Sequence, residues 1–133
     1  MLNWYPKLSS EKLIKPETTI SDGGSSPENA FDGKPHTEYQ SSNIDCFIGI
    51  DVGEHKLVNP KRIRYFPFSE WAVVVNHLKG AFIKGSVDNV NFDTLHVVGP
   101  SVHSGWNSFL INTDKNYRYF VLSHDDSSGC KIA

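Results

Sequence analysis

Phe47-Ile48-Gly49-Ile50-Asp51-Val52 is the stretch from which the fold can be read. Side chains on a strand alternate between two faces. Ile48, Ile50 and Val52 therefore share one face, and Phe47, Gly49 and Asp51 the other. Outward from it the same alternation recurs in 61–66, where Ile63 and Tyr65 oppose Arg62, Arg64 and Phe66. Further strands follow at 80–87, 92–98 and 108–111. Residues 118–124, Arg-Tyr-Phe-Val-Leu-Ser-His, are apolar enough to be a central strand covered on both faces. A last strand begins near Cys130 and is cut off at Ala133. Turn residues punctuate these runs: 21–27, Asp32-Gly33-Lys34-Pro35, Val58-Asn59-Pro60, Asp88-Asn89, Gly99-Pro100 and Ser127-Ser128-Gly129. No segment keeps a helical apolar period for three turns. Short strands separated by regular turns predict an all-β antiparallel sandwich of about eight strands.

The totals agree with one domain. The chain has 133 residues, enough for a single core, with 1–12 as an N-terminal extension. With 38% hydrophobic and 21% charged residues it is globular, not disordered. The formal net charge of -2, with both signs interspersed, excludes a nucleic-acid binder, which needs clustered Lys and Arg. The run Lys61-Arg62-Ile63-Arg64 alternates with apolar residues and reads as the solvated side of a strand. No apolar run approaches the roughly 18 residues of a membrane span. Met1-Leu2-Asn3-Trp4-Tyr5-Pro6 lacks the basic start and apolar stretch of a signal peptide. The chain is then extracellular or at the cell surface as a piece of a larger protein, and otherwise cytoplasmic. Cys46 and Cys130 read as isolated buried thiols, paired only where the fold brings them together. No Cys/His spacing points to zinc.

Three stretches carry a resemblance. Residues 27–42, from Pro27-Glu28-Asn29-Ala30-Phe31-Asp32-Gly33 through Thr37, Tyr39 and Ser41, are similar to the N-A-x-D-G-x-x-x-T-x-W-x-S opening of discoidin (coagulation-factor type-C) domains. Phe47-Ile48-Gly49-Ile50-Asp51-Val52-Gly53 resembles that family's W-I-x-I-D-L-G strand. Leu78-Lys79-Gly80-Ala81-Phe82-Ile83-Lys84-Gly85-Ser86-Val87-Asp88-Asn89-Val90-Asn91-Phe92 resembles x-x-x-F-x-I-x-G-S-x-D-G-x-x-W, and 117–122 its penultimate strand. The resemblance spans roughly 15–133 in the right order and implies a galactose-binding-like jelly roll. Tyr39, Phe47 and Phe92 replace three usual tryptophans; all stay aromatic, so they are expected to keep filling the core. Asn89 stands where Gly is common, and Asn tolerates the left-handed turn.

Read from its residues alone, 29–37 is a tight turn in which Gly33 permits a conformation other residues resist. Asp32 adds a carboxylate and Thr37 a hydroxyl, and an all-oxygen donor set suits Ca²⁺. The resemblance implies a structural calcium held by the Asn29 carbonyl, the Asp32 carboxylate, the Lys34 carbonyl and Thr37. It further implies the carbonyl of Ala133 and the carboxylate of a Glu after it, beyond the last residue here.

Family ligands bind on loops at one end of the sandwich, where a rigid scaffold holds them. The main candidate loop is 66–77. There Phe68, Glu70, Trp71, Asn76 and His77 combine an aromatic face with hydrogen-bonding side chains, which suits a sugar ring. The plainer alternative buries Trp71 and the valines in the sandwich. Asp125 and Asp126, in 124–129, can accept sugar hydroxyls; 21–26 is the third candidate loop. Galactose-binding relatives carry an arginine where Phe68 stands, so the identity of the sugar does not transfer. His36, His55, His96 and His103 are scattered and read as surface or packing residues. Neither His77 with Glu70 nor His124 with Asp125 has a nucleophile beside it, and no catalytic signature appears. The expected function is thus a non-enzymatic, lectin-like carbohydrate-binding module whose partner is a glycan or glycoprotein. Two other readings stay open: a protein-interaction or adhesion subunit using the same loops, and, ranked third, a phospholipid-surface binder. The loop's Glu70 and distant Lys79 argue against a membrane spike.

Overall fold

The computed structural model describes residues 2–6, 13–34, 36–41, 43, 45–67, 78–124 and 130–132. Among them lie ten strands: β1 (Leu2–Tyr5), β2 (Thr18–Ser21), β3 (Tyr39–Ser41), β4 (Cys46–Asp51), β5 (Arg62–Tyr65), β6 (Phe82–Ser86), β7 (Phe92–Val97), β8 (Asn107–Leu110), β9 (Tyr119–His124) and β10 (Cys130–Ile132). A 3₁₀ turn, Pro27–Ala30, lies between β2 and β3. All strand pairs are antiparallel. One sheet runs β2-β4-β9-β6-β7, a second β1-β5-β8, and β10 pairs with β3 at the margin. The two larger sheets stack as a jelly-roll sandwich.

Alternation decides which side chains fill it. Ile48 and Ile50 of β4, Ile83 of β6 and Phe120 and Leu122 of β9 point inward, as do Leu2 and Trp4 of β1 and Ile63 and Tyr65 of β5. Trp4 meets Phe120 across the sandwich with ring centroids 5.7 Å apart, and Tyr65 stacks on Phe109 at 5.7 Å. β9 is central, hydrogen-bonded to β4 on one side and β6 on the other. The N-terminal segment is part of the sandwich: Trp4 is fully buried, and β1 pairs with β5 from Leu2↔Tyr65 to Tyr5↔Arg62.

Two sequence expectations need correction. Tyr39 is buried in the core, but Phe47 and Phe92 are only half-buried. Phe47 alternates with Ile48 and so faces outward, and Phe92 pairs with Ser86 in β7 on the sheet's edge. Cys46 is not an isolated thiol but is disulfide-bonded, and Cys130 is the chain's one other cysteine. The fold makes this possible because β10, which starts at Cys130, packs against β4 as well as pairing with β3.

Candidate functional site

Strand register shows where the loops gather. Ser21 pairs opposite Ile48, Cys46 opposite His124, and Phe82 opposite Ser123 and Val97. The ends of β2, β6-leading, β7 and β9 chain segments therefore share one edge of the sandwich. Pro67 and Leu78, which flank 68–77, are described: Pro67 bridges Ile132 and Leu78 is buried. His124, which precedes 125–129, is buried with its Nε2 3.0 Å from the Lys79 carbonyl oxygen. Phe68, Glu70, Trp71, Asn76, His77, Asp125 and Asp126 themselves lie outside the described residues.

Asp22 organises the described part of this end. Its carboxylate accepts hydrogen bonds from the Tyr39 and Ser41 hydroxyls, from the Gly24 N–H at 3.1 Å and from Asn43 Nδ2 at 3.2 Å. Partial burial pushes the Asp22 carboxyl up, but the donors on Ser41, Tyr39, Gly24 and Asn43 outweigh it and hold it below the ordinary carboxylate value. Burial, and then the Asp22 charge beside it, pushes the Tyr39 phenol up. The loop after β2 is thereby tied to β3 through the Tyr39 and Ser41 hydroxyls, with Gly24 and Asn43 as further neutral donors.

From this end a groove of about 450 Å³ runs along the outer face of the five-stranded sheet. Phe47 and Asp45 stand at one end with Ser123 and His124; Phe82, Lys84 and Val121 form the middle; Phe92 and Asn89 close the other end. Five residues of β6 span about 13 Å at the rise of a strand. The Lys84 ammonium lies 5.1 Å from the Phe82 ring centroid. Asn89 is placed by the β6–β7 turn, where it takes φ 61° while Asp88 accepts hydrogen bonds from the Val90 and Asn91 N–H groups at 2.9 and 2.8 Å. Apolar rings with a few polar groups between them can cover the C–H face of a sugar and meet its hydroxyls. The sequence does carry the signal for this groove, in the parity that sets Phe47 opposite Ile48 and Phe82 and Lys84 opposite Ile83. Reading Phe47 and Phe92 as core residues by type hid it.

The candidate metal loop is ordered by its own oxygens. Gly33 takes φ 79°. The Lys34 N–H donates to Asp32 Oδ1 at 2.8 Å, and the Thr37 hydroxyl lies 2.6 Å from Asp32 Oδ2 and 2.9 Å from the Lys34 carbonyl oxygen. Thr37 has one hydroxyl proton, so two acceptors crowd a group that fully satisfies one. Asn29 ties the loop to the next strand by donating to the Glu38 carbonyl at 2.9 Å. Burial pushes the Asp32 carboxyl up, and the Thr37 and Lys34 hydrogen bonds with the Lys34 charge more than reverse it. The carboxylate is thus held ionised among converging oxygens, a donor set that fits a hard cation. Ala133 lies outside the described residues.

No family model matches the sequence, and no curated protein does. Solved structures do. The chain is similar to the family 62 carbohydrate-binding module of Clostridium thermocellum Xyl5A, with 25% identity, a TM-score of 0.77, and 87% of this chain and 88% of that one covered. It is also similar in fold to a mutant lectin-binding domain of lectinolysin complexed with Lewis b, at 13% identity and TM-score 0.73, over 90% and 89% of the two chains. The family 32 module of C. perfringens NanJ, in complex with galactose, matches at 12% identity and TM-score 0.67, over 100% and 96%. The neighbours are carbohydrate-binding modules and lectin domains of the galactose-binding-like fold.

Proposed function

We propose that this domain is a non-catalytic carbohydrate-recognition module, binding a glycan at the loop end and along the groove that opens from it. The observation that carries the reading is the groove: three half-buried phenylalanine rings, Phe47, Phe82 and Phe92, interleaved with Lys84, Ser123 and Asn89. The likeness to the Xyl5A module, and to domains solved with galactose and with Lewis b, supports it. Binding to such a shallow surface is weak per site and gains from repetition. The Cys46 disulfide supports the extracellular alternative, because disulfides persist in oxidising compartments. The resemblance to discoidin domains belongs to the same reading.

Calcium has a structural part in this proposal. Asp32, the Lys34 carbonyl and Thr37, with the Asn29 carbonyl and Ala133, would hold it. The ion would neutralise the crowded oxygens and fix the loop without touching the sugar. Calcium is then expected to raise the melting temperature of the wild type and not of Asp32→Ala. An equal shift in both removes the ion from this loop.

A glycan array of the purified domain, beside Phe82→Ala and Trp71→Ala, tests the function. Binding lost in Phe82→Ala places the sugar in the groove; binding lost in Trp71→Ala places it on the 68–77 loop. Silence of the folded wild type across a broad array overturns the reading.

A further inference from the structure

The other outward face, that of the three-stranded sheet, carries a different chemistry. Register sets Asn3 beside Arg64 and Tyr5 beside Arg62. The Arg62 guanidinium lies 4.1 Å above the Tyr5 ring, and that of Arg64 lies 3.8 Å above Trp106 and 5.9 Å from Tyr5. Phe66 meets Trp106 edge-on at 5.5 Å and steadies it. The two arginines are thus not freely solvated strand residues, as the sequence pattern implies, but have their guanidiniums seated over aromatic rings.

Among the described residues neither has an acidic partner. The ion pairs among the described residues involve His55, Lys115 and Arg118. The Nε of Arg62 and that of Arg64 are both buried without a hydrogen-bond partner among the described residues. Holding two like charges side by side with no counter-charge is unfavourable, and it occurs here on a chain of net charge -2. The ring contacts restrain the guanidiniums, whose terminal N–H groups are a paired set of donors. That geometry suits the planar, two-oxygen carboxylate. The two arginines are two residues apart on one strand, so their Cα atoms are about 6.6 Å apart. Charges repeated along a chain can engage both. The rings lie beneath the guanidiniums, so they offer no protruding wedge for a bilayer.

We propose that this face is a second binding site, for a carboxylate-bearing polysaccharide, with Arg62 and Arg64 each gripping a uronic-acid carboxylate and Tyr5 and Trp106 positioning them. The choice of a sugar rests on the carbohydrate reading above; the choice of its charge rests on two guanidiniums that pair with no carboxylate among the described residues.

The test is calorimetric titration of the full chain with oligogalacturonate, beside a neutral galactan oligomer and vesicles of anionic phospholipid. The wild type should bind oligogalacturonate, more weakly as salt rises. Arg62→Gln and Arg64→Gln should each weaken that binding about tenfold, in line with loss of a charge-assisted hydrogen bond. Any neutral-glycan response and the circular-dichroism spectrum should stay unchanged. Should a glutamine variant fail to fold, Arg64→Lys keeps the charge without the fork and should still bind less tightly. Oligogalacturonate binding that survives loss of both arginines overturns the site, as does preference for the vesicles. A wild type that binds neutral glycans but no uronate at low salt overturns this site alone. One that is folded and binds no glycan of either kind takes the carbohydrate reading down with it.

Discussion

Two carboxylates, at opposite ends of the same sheet, are held in different ways. Asp22, at the end where the loops gather, is surrounded by neutral donors on Tyr39, Ser41, Gly24 and Asn43. Asp51, at the far end of β4, takes a two-pronged grip from Arg118 at 2.8 and 2.9 Å, with the Gly53 N–H at 2.8 Å. The Arg118 hydrogen bond dominates in holding the Asp51 carboxyl below its ordinary value, with burial opposing it. A ring of neutral donors is directional and short-ranged, so it fixes backbone geometry. An ion pair that water still reaches is adaptable and weakened by salt. The end proposed to meet the glycan is the one built from fixed geometry, and it also holds the disulfide-bonded Cys46.

Breaking the loop end should therefore cost most. In the chain-entropy account, a disulfide closing a loop as long as that between Cys46 and Cys130 stabilises by about 4 kcal/mol. Chemical denaturation with and without a reductant should show a loss of this order. An unchanged midpoint would mean the sheets hold this end unaided. Next comes Asp22→Ala, which removes the acceptor shared by Tyr39, Ser41, Gly24 and Asn43, leaves the buried Tyr39 hydroxyl only the Phe47 carbonyl at 3.2 Å, and should cost about 2 kcal/mol. The Asp22 pKa is lowered from 3.8, so its stabilisation is complete above that value and is lost as pH falls through the lower folded one. Asp22→Asn should flatten the fall of stability below pH 3.8. A profile as steep as the wild type's would assign that fall to other carboxylates. Smallest is Arg118→Gln, whose effect should shrink further in 1 M salt, where screening reaches about 3 Å. Insensitivity to salt there would erase the contrast between the two ends.

Much of the sandwich is legible in the chain because one face of each strand is buried and the other is not. The isoleucines at 48, 50 and 63 declare their faces, and β9 declares its central place by burying Phe120, Val121 and Leu122 in succession. β1 and β3 are harder to read, since strands of four and three residues give too few alternations. Phe47 shows the cost of ranking residue type above parity: an aromatic residue was expected in the core although its neighbour Ile48 already occupied that face. The Cys46 disulfide and the Arg64–Trp106 stack were not legible, because each joins segments far apart in sequence that only the sheet register brings together. The Asp32 loop was legible in composition, while the crowding at the Thr37 hydroxyl needed coordinates.

The contact between Trp4 and Phe120 has a consequence for how the molecule comes to exist. Trp4 lies in the first strand of the domain, yet its resting place is built in part by β9, which follows almost all of the other strands. Until then its indole has nowhere to go, and β1 waits for β5 as well. Contacts between such distant segments make folding slow and leave apolar surface open in the meantime. During synthesis Trp4 should thus stay exposed until β9 has emerged, and the core of this domain should close late, in one step, when it does.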